Sequence, residues 1–247
     1  IISAFKQSYL LGIAGSLERL SEHPIAKAVV EKAQLKRYLN VSRFKTLRGR
    51  GVEGFIGKRY VVIGNRTLMN EKSIPLEKFE SAVENFEDDG KTTMIVAENK
   101  KVIGALAVAD ALKEDSIQAI KELHKKGYKT VMITGDNERT ARAIAKKVGI
   151  DVVIANVLPE DKAKKVEELQ KEGMVAFVGD GINDAPALKT SNVGIAMGTG
   201  TDIAIEAGDL VLAKGSLVGV VQAINLSKAT FKKIKQNLFW AFAYNVV

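Results

Sequence analysis

The sequence predicts an α/β chain built of two modules and a helical tail, and three observations predict it. In the second half, short β-rich apolar runs alternate with helical patterns of about ten residues, the mark of βαβ units on a parallel sheet. In residues 1–107, strand-like stretches come in pairs joined by tight turns at Gly57-Lys58 and Asn99-Lys100, which predicts an antiparallel sheet flanked by helices, an α+β module. After Gly219 nothing breaks the helical pattern, so residues 217–247 read as one helix of about 45 Å.

Taken in order, a helix over Leu10–Leu20 ends at Ser21-Glu22-His23-Pro24, and a second covers Ile25–Leu35. Strands follow at Val52–Ile56 and Tyr60–Ile63, then a charged helix at Leu76–Asp89 and strands at Thr93–Glu98 and Val102–Val108. The second module, residues 108–225, places strands at Thr130–Ile133, Val152–Ile154, Val175–Val178, Val193–Ala196 and Leu210–Leu212. Between them lie helices at Glu138–Val148 and Lys162–Glu172 and short ones after Asn183 and near Asp202. Loops that carry chemistry belong at the C-terminal ends of such strands.

The chain has 247 residues, of which 46% are apolar and 27% charged, a core-forming composition. Without cysteine it has no disulfide, thiol nucleophile or thiolate metal site, and two histidines, His23 and His124, cannot make a His-rich metal centre. The net charge of +8 suits a polyanion and does not say which. Ile1-Ile2-Ser3-Ala4-Phe5-Lys6 is not a signal peptide, and the absence of an initial Met leads us to expect a fragment. In the tail, residues 226–247, Lys228, Lys232, Lys233 and Lys235 precede the apolar run Leu238–Tyr244. A basic flank followed by Trp240 and continuous apolar residues reads as the start of a transmembrane helix entering from the cytoplasm; a buried amphipathic helix is the alternative.

The strongest chemical signal is Val178-Gly179-Asp180-Gly181-Ile182-Asn183-Asp184-Ala185-Pro186. A strand delivers two carboxylates, four apart, into a glycine-flanked loop that opens a helix, and Mg²⁺ favours one or two such carboxylates completed by phosphate and water. A capping Asp in a turn explains either carboxylate alone, but not both together with Asn183. Upstream, Ile133-Thr134-Gly135-Asp136-Asn137 also ends a strand and begins a helix, where a hydroxyl and backbone N–H groups form a phosphate cradle or simply a cap. Lys162, in Leu158-Pro159-Glu160-Asp161-Lys162, is by itself a solvated helical lysine. Together, Thr134, Lys162 and the acid pair make a constellation for neutralising and positioning a phosphoryl group.

In spacing and wording these residues resemble the P-type ATPases of the haloacid-dehalogenase superfamily. The resemblance implies a Rossmann-like phosphorylation domain of haloacid-dehalogenase type, with Thr134-Gly135-Asp136 as the phosphate-binding turn and Lys162 neutralising phosphate. It makes Asp180 the Mg²⁺ ligand, supported by Asn183 and Asp184, and Asp110 a hinge aspartate. Ser21-Glu22-His23-Pro24 resembles the motif of the heavy-metal branch, whose nucleotide site also takes a GxG and a following Asn, here Gly49, Gly51 and Asn65. Physically, Ser21 is expected to cap the following helix, with Pro24 in its first turn, so that Glu22 and His23 meet the nucleotide near a helix start. Tyr244-Asn245 resembles the pair that holds copper(I) in the copper transporters.

The resemblance therefore implies ATP and Mg²⁺ as cofactors, Cu⁺ as the transported ion, and a place at the cytoplasmic face of a membrane. Its implied partners are nucleotide, the actuator, membrane and metal-binding domains of the same pump, and a copper chaperone, with no nucleic acid. The family's phosphorylated aspartate lies in a DKTGTLT string, which this sequence does not contain. The chain alone is thus expected to be inactive, and its parallel sheet to lack a central strand. Two other functions stay open at this point, a soluble Mg²⁺-dependent phosphatase of the same superfamily and a non-catalytic nucleotide-binding module.

Overall fold

The computed structural model describes residues 1–109, 112 and 114–246. They form two compact units, one of Ile1–Ala111 with Asp136–Ile144, the other of Leu112–Gly135 with Ala145–Val247.

The first unit begins with β1 (Ile2–Ser3), α1 (Gln7–Glu18) and α2 (Pro24–Ala33). It continues through β2 (Val41–Leu47), β3 (Gly51–Ile56), β4 (Arg59–Gly64), α3 (Arg66–Glu71), α4 (Glu80–Asp88), β5 (Thr92–Glu98) and β6 (Lys101–Val108). The strands make one antiparallel sheet in the order β1-β6-β5-β4-β3-β2. The strand side chains alternate between two cores. Val61, Ile63, Met94 and Val96 join Leu10, Ile13 and Leu17 of α1 and Val29 of α2. Val62, Ile95 and Ala97 join Leu68, Met69 and Val83 from α3 and α4. A sheet covered on both faces needs apolar residues at every position, which is why β4 and β5 read as unbroken apolar runs.

The sequence reading passed over β2, and the reason is a bulge. Val41 and Phe44 both pack on the α1 side although three residues apart, because the register slips between Ser42 and Lys45 and Arg43 takes φ +50°. The extra residue destroys the period of two by which a strand is recognised. Short β1 and α3, the latter only six residues long, also escaped notice.

Next come α5 (Glu114–Lys125), β7 (Val131–Ile133), α6 (Glu138–Val148), β8 (Val152–Ile154), α7 (Lys162–Gln170) and β9 (Ala176–Gly179). The chain ends with α8 (Ala185–Thr190), β10 (Val193–Met197), α9 (Asp202–Ala207), β11 (Leu210–Leu212) and α10 (Val218–Val246). The five parallel strands of the second unit fall into two hydrogen-bonded sheets, β11-β10-β9 and β7-β8. Leu188, Ala196, Ala204 and Ala207 form a small core where α8 and α9 meet β10. Helix α10 is continuous, and Phe231, Leu238, Phe239, Trp240 and Phe242 are all more than half exposed along it. Among the described residues no helix is long and apolar enough to cross a membrane.

Candidate functional site

In the first unit the loop after α1 leads into α2 with Pro24 at its first helical position. The cap differs from the expected one. His23, not Ser21, is the N-cap, its Nδ1 accepting the Ile25 N–H at 3.3 Å. Ser21 sits two residues earlier, and its Oγ accepts the His23 N–H at 3.3 Å. Proline at the first position leaves Ile25 as the next available donor, and the imidazole reaches it. An accepting Nδ1 leaves the neutral ring with its N–H on Nε2, so His23 can offer a donor to a base or phosphate. Glu22 and His23 are both exposed.

Gly49, Gly51 and Asn65 are brought together directly. Asn65 caps α3 by accepting the Leu68 N–H on Oδ1 at 3.0 Å, while its Nδ2 donates to the Gly49 carbonyl at 3.0 Å. Gly49 has φ +67° and Gly51 φ +147°. Gly51 stands opposite Gly64, and a Cβ on Gly51 would lie 2.1 Å from the Ile63 carbonyl. Both glycines are therefore required by the chain path. The segment after His23 and this turn share a core, since Ile25 packs against the same cluster as Val52.

A residue absent from the sequence reading lies close to this region along the chain. Glu18, the last residue of α1, is buried, and burial pushes its carboxyl up to about 7. A carboxyl held near neutrality three residues before Ser21 is a functional candidate on physical grounds. The signal was available: Leu10, Ala14 and Glu18 are spaced by four, so the acid occupies a core position of an apolar helix face.

In the second unit Lys162 opens α7 and Asp184 ends the 3₁₀ turn before α8. Their side chains meet at 2.7 Å, with 18% of the lysine and 12% of the aspartate side chain exposed. The second Asp184 oxygen accepts the Gly181 N–H at 3.3 Å. A Cβ on Gly179 would come within 2.7 Å of the Asp184 Cβ, so the turn closes only over glycine. The Asp180 carbonyl accepts the Thr201 N–H at 2.9 Å, and a Cβ on Gly200 would lie 2.3 Å from it, which seats the Gly198–Thr201 run against the acid turn. Asp180 and Asn183 are exposed. Thr134, just beyond β7, extends the pairing: its N–H donates to Ile154 at 3.0 Å and its carbonyl accepts from Val157 at 3.0 Å. Gly135 follows it as an exposed residue. Asn137 Oδ1 accepts the Thr140 N–H at 3.0 Å and so caps α6, while Asp136 accepts from the Thr92 hydroxyl at 3.4 Å within the first unit.

Among the described residues no three His, Asp or Glu side chains cluster as a metal site. The donor set still fits Mg²⁺, which takes one or two carboxylates and completes its octahedron with phosphate and water. Asp180 is the open carboxylate, and Asp184 is already committed to Lys162 and the turn amide. Tyr244 is 87% exposed near the end of α10. Asp110 lies outside the described residues, as does the side chain of Asn245.

A family model described as haloacid dehalogenase-like hydrolase matches residues 3–192. The chain belongs to this family. Within it, the acid turn over Asp180 and Asp184 and the lysine that pairs with it fall inside the matched span. It is 48% identical over 239 residues to a copper-exporting P-type ATPase of Staphylococcus saprophyticus, with 96% of this chain and 30% of that protein covered. It is 49% identical over 245 residues to copper-transporting ATPase 2 of Rhizobium meliloti strain 1021, covering 98% of this chain and again 30% of the relative. The chain thus spans about a third of the length of these relatives. Among solved structures it is similar to a zinc-transporting PIB-type ATPase in the E2·Pi state, with a TM-score of 0.65, 38% identity, and 96% of this chain and 39% of that chain covered. It also resembles the catalytic domain of the CPx-ATPase CopB-B, with a TM-score of 0.64, 28% identity, and coverage of 91% and 81%.

Proposed function

We propose that this chain is the nucleotide-binding and phosphorylation region of a copper(I)-exporting P-type ATPase, coupling ATP hydrolysis through an aspartyl phosphate to metal transport. The observation that carries the reading is the Lys162–Asp184 pair at 2.7 Å beside the glycine-closed Asp180 turn. Similarity at 48% identity to copper-exporting relatives supports the class and the metal. We assign residues 1–107 to the nucleotide-binding domain, 108–225 to the phosphorylation domain, and 226–247 to a basic stalk and the start of a membrane helix.

Glu22, His23, Gly49, Gly51 and Asn65 bind the nucleotide, with Glu18 beside them. His23 offers its Nε2–H, and the glycine turn lets a ligand lie against bare main chain. Thr134, Gly135 and Asp136 form the phosphate turn, and Lys162 holds its ammonium where the transferred phosphoryl group develops charge. Asp184 orients that lysine and the turn around Asp180. Asp180 and Asp184 hold Mg²⁺, with Asn183 supporting the metal and the phosphate. When bound, Mg²⁺ supplies charge neutralisation for the phosphate oxygens. Tyr244 and Asn245 take Cu⁺. The actuator, membrane and metal-binding domains of the pump and a copper chaperone are its partners, and this region works at the cytosolic face of a membrane.

None of Thr134, Lys162, Asp180 and Asp184 is free to attack phosphorus in these roles, and no DKTGT string occurs in the sequence. The 247-residue chain incubated with radiolabelled ATP is expected to carry no hydroxylamine-sensitive label. Joining a segment that bears DKTGTLT should produce the label, and Asp180→Asn in that fusion should abolish it. Hydroxylamine-sensitive label on the 247-residue chain itself would contradict the assignment.

A further inference from the structure

Arg50 stands between the two glycines of the nucleotide turn, and neither the sequence motifs nor the roles above use it. Its main chain is fixed on three sides. The N–H donates to the Leu47 carbonyl at 2.9 Å, and the carbonyl accepts the Asn65 N–H at 2.9 Å. A Cβ on Gly64 would lie 2.3 Å from that same carbonyl, so β4 presses against it. The guanidinium is the adjustable part. It is about one-third exposed and reaches Glu71, the last residue of α3, with Nη1 3.2 Å from Oε1; the Glu71 side chain is half exposed.

An ion pair this open to water contributes little to stability, because solvent and salt screen it. A polyphosphate carries several charges and accepts the planar guanidinium fork in a bidentate manner, a much stronger pairing. Gly49 and Gly51 leave no side chain on either flank of Arg50, so an anion can approach along bare backbone.

We propose that Arg50 is a binding residue for the polyphosphate of the nucleotide. Glu71 occupies the guanidinium until phosphate displaces it, and this exchange makes the site prefer nucleoside di- and triphosphates to nucleosides. The proposal rests on the nucleotide reading above.

Calorimetric titration of the 247-residue chain with adenosine and with ATP tests it. Arg50→Gln should weaken ATP about five- to tenfold and leave adenosine unchanged, the loss of one charge-assisted phosphate contact. Glu71→Gln removes the competitor and should tighten ATP about twofold, again without effect on adenosine. A mere brace between the glycine turn and α3 gives the opposite pattern, since breaking it from either end weakens both ligands alike. An unchanged ratio of ATP to adenosine affinity in Arg50→Gln, or weaker ATP binding in Glu71→Gln, would overturn the proposal and leave the nucleotide site standing. Failure of the unsubstituted chain to bind either ligand would overturn the nucleotide reading, and the role of Arg50 with it.

Discussion

Two glycine-bearing turns of this chain, Leu47–Gly51 in the first unit and Gly179–Asp184 in the second, reach a fixed geometry by different means. In the first, hydrogen bonds to main-chain carbonyls do the holding: the Asn65 N–H donates to the Arg50 carbonyl, the Asn65 side-chain amide donates to the Gly49 carbonyl, and Gly51 sits against Ile63. In the second, charge does much of it, with Asp184 shared between the Lys162 ammonium and the Gly181 N–H. A turn built from backbone ignores pH and salt but has no room for a methyl group. A turn held by a largely buried ion pair shares the need for glycine, since a Cβ on Gly179 would meet Asp184, but it also fails when one charge is removed.

The sharpest way to break that contrast is Gly51→Ala. The new Cβ would meet the Ile63 carbonyl at 2.1 Å and φ +147° excludes an L side chain, so we expect a loss of about 3 kcal/mol in denaturant unfolding. A stable Gly51→Ala variant would show that the turn is not backbone-limited. Asp184→Asn should cost about 2 kcal/mol by the same measurement, because Lys162 is left without its counter-charge. Adding Lys162→Met to it should restore part of the loss, whereas the matching rescue has no equivalent at Gly51.

Glu18 brings pH into the first unit from outside its turn. Its folded carboxyl, at about 7, lies above its ordinary value of 4.5, so the native state holds the extra proton between those pH values. Stability is therefore full at low pH and falls as pH rises, by about 2 kcal/mol between pH 5 and pH 7. Melting curves from pH 5 to pH 8 should show this decline in the natural chain and a flatter profile in Glu18→Gln. A smaller effect is expected at the α2 cap. His23→Ala removes one cap acceptor and should cost about 1 kcal/mol without changing the circular dichroism spectrum. The smallest comes from the tail: deleting residues 238–247, where Leu238, Phe239, Trp240, Phe242 and Tyr244 are exposed, should leave the melting temperature unchanged and raise solubility.

What could be read from the sequence followed from unbroken local patterns. The β4 and β5 runs announced themselves because both faces of their sheet are covered. The α/β alternation from Val131 to Leu212 kept one element per short segment, each ended by its own turn. Gly49, Gly51 and Asn65 were named through the resemblance to the heavy-metal ATPases, and the structure shows why they are neighbours: the β3–β4 hairpin sets Gly51 opposite Gly64, one residue before Asn65. What was lost depended on non-local geometry. The bulge at Arg43 hid β2, and the cap passed from Ser21 to His23 because the histidine, directly before Pro24, lies closer to the Ile25 donor. Glu18 stood on the apolar Leu10–Ala14–Glu18 face and was legible there, but how completely the packing of α1 buries it was not. The split of the parallel strands into two ladders is likewise a matter of pairing, which strand-by-strand propensity does not contain.

The central claim is that the first unit binds nucleotide through His23 and the glycine turn. Calorimetric titration of the 247-residue chain with Mg²⁺-ATP tests it most directly, beside the same titration of a correctly folded His23→Ala variant. The account predicts saturable binding with a dissociation constant between about 10 μM and 1 mM, since no lysine-bearing phosphate loop clamps the ligand, and an affinity at least several-fold weaker without the imidazole. Identical affinity in the two proteins, or no saturable heat in either, would contradict it.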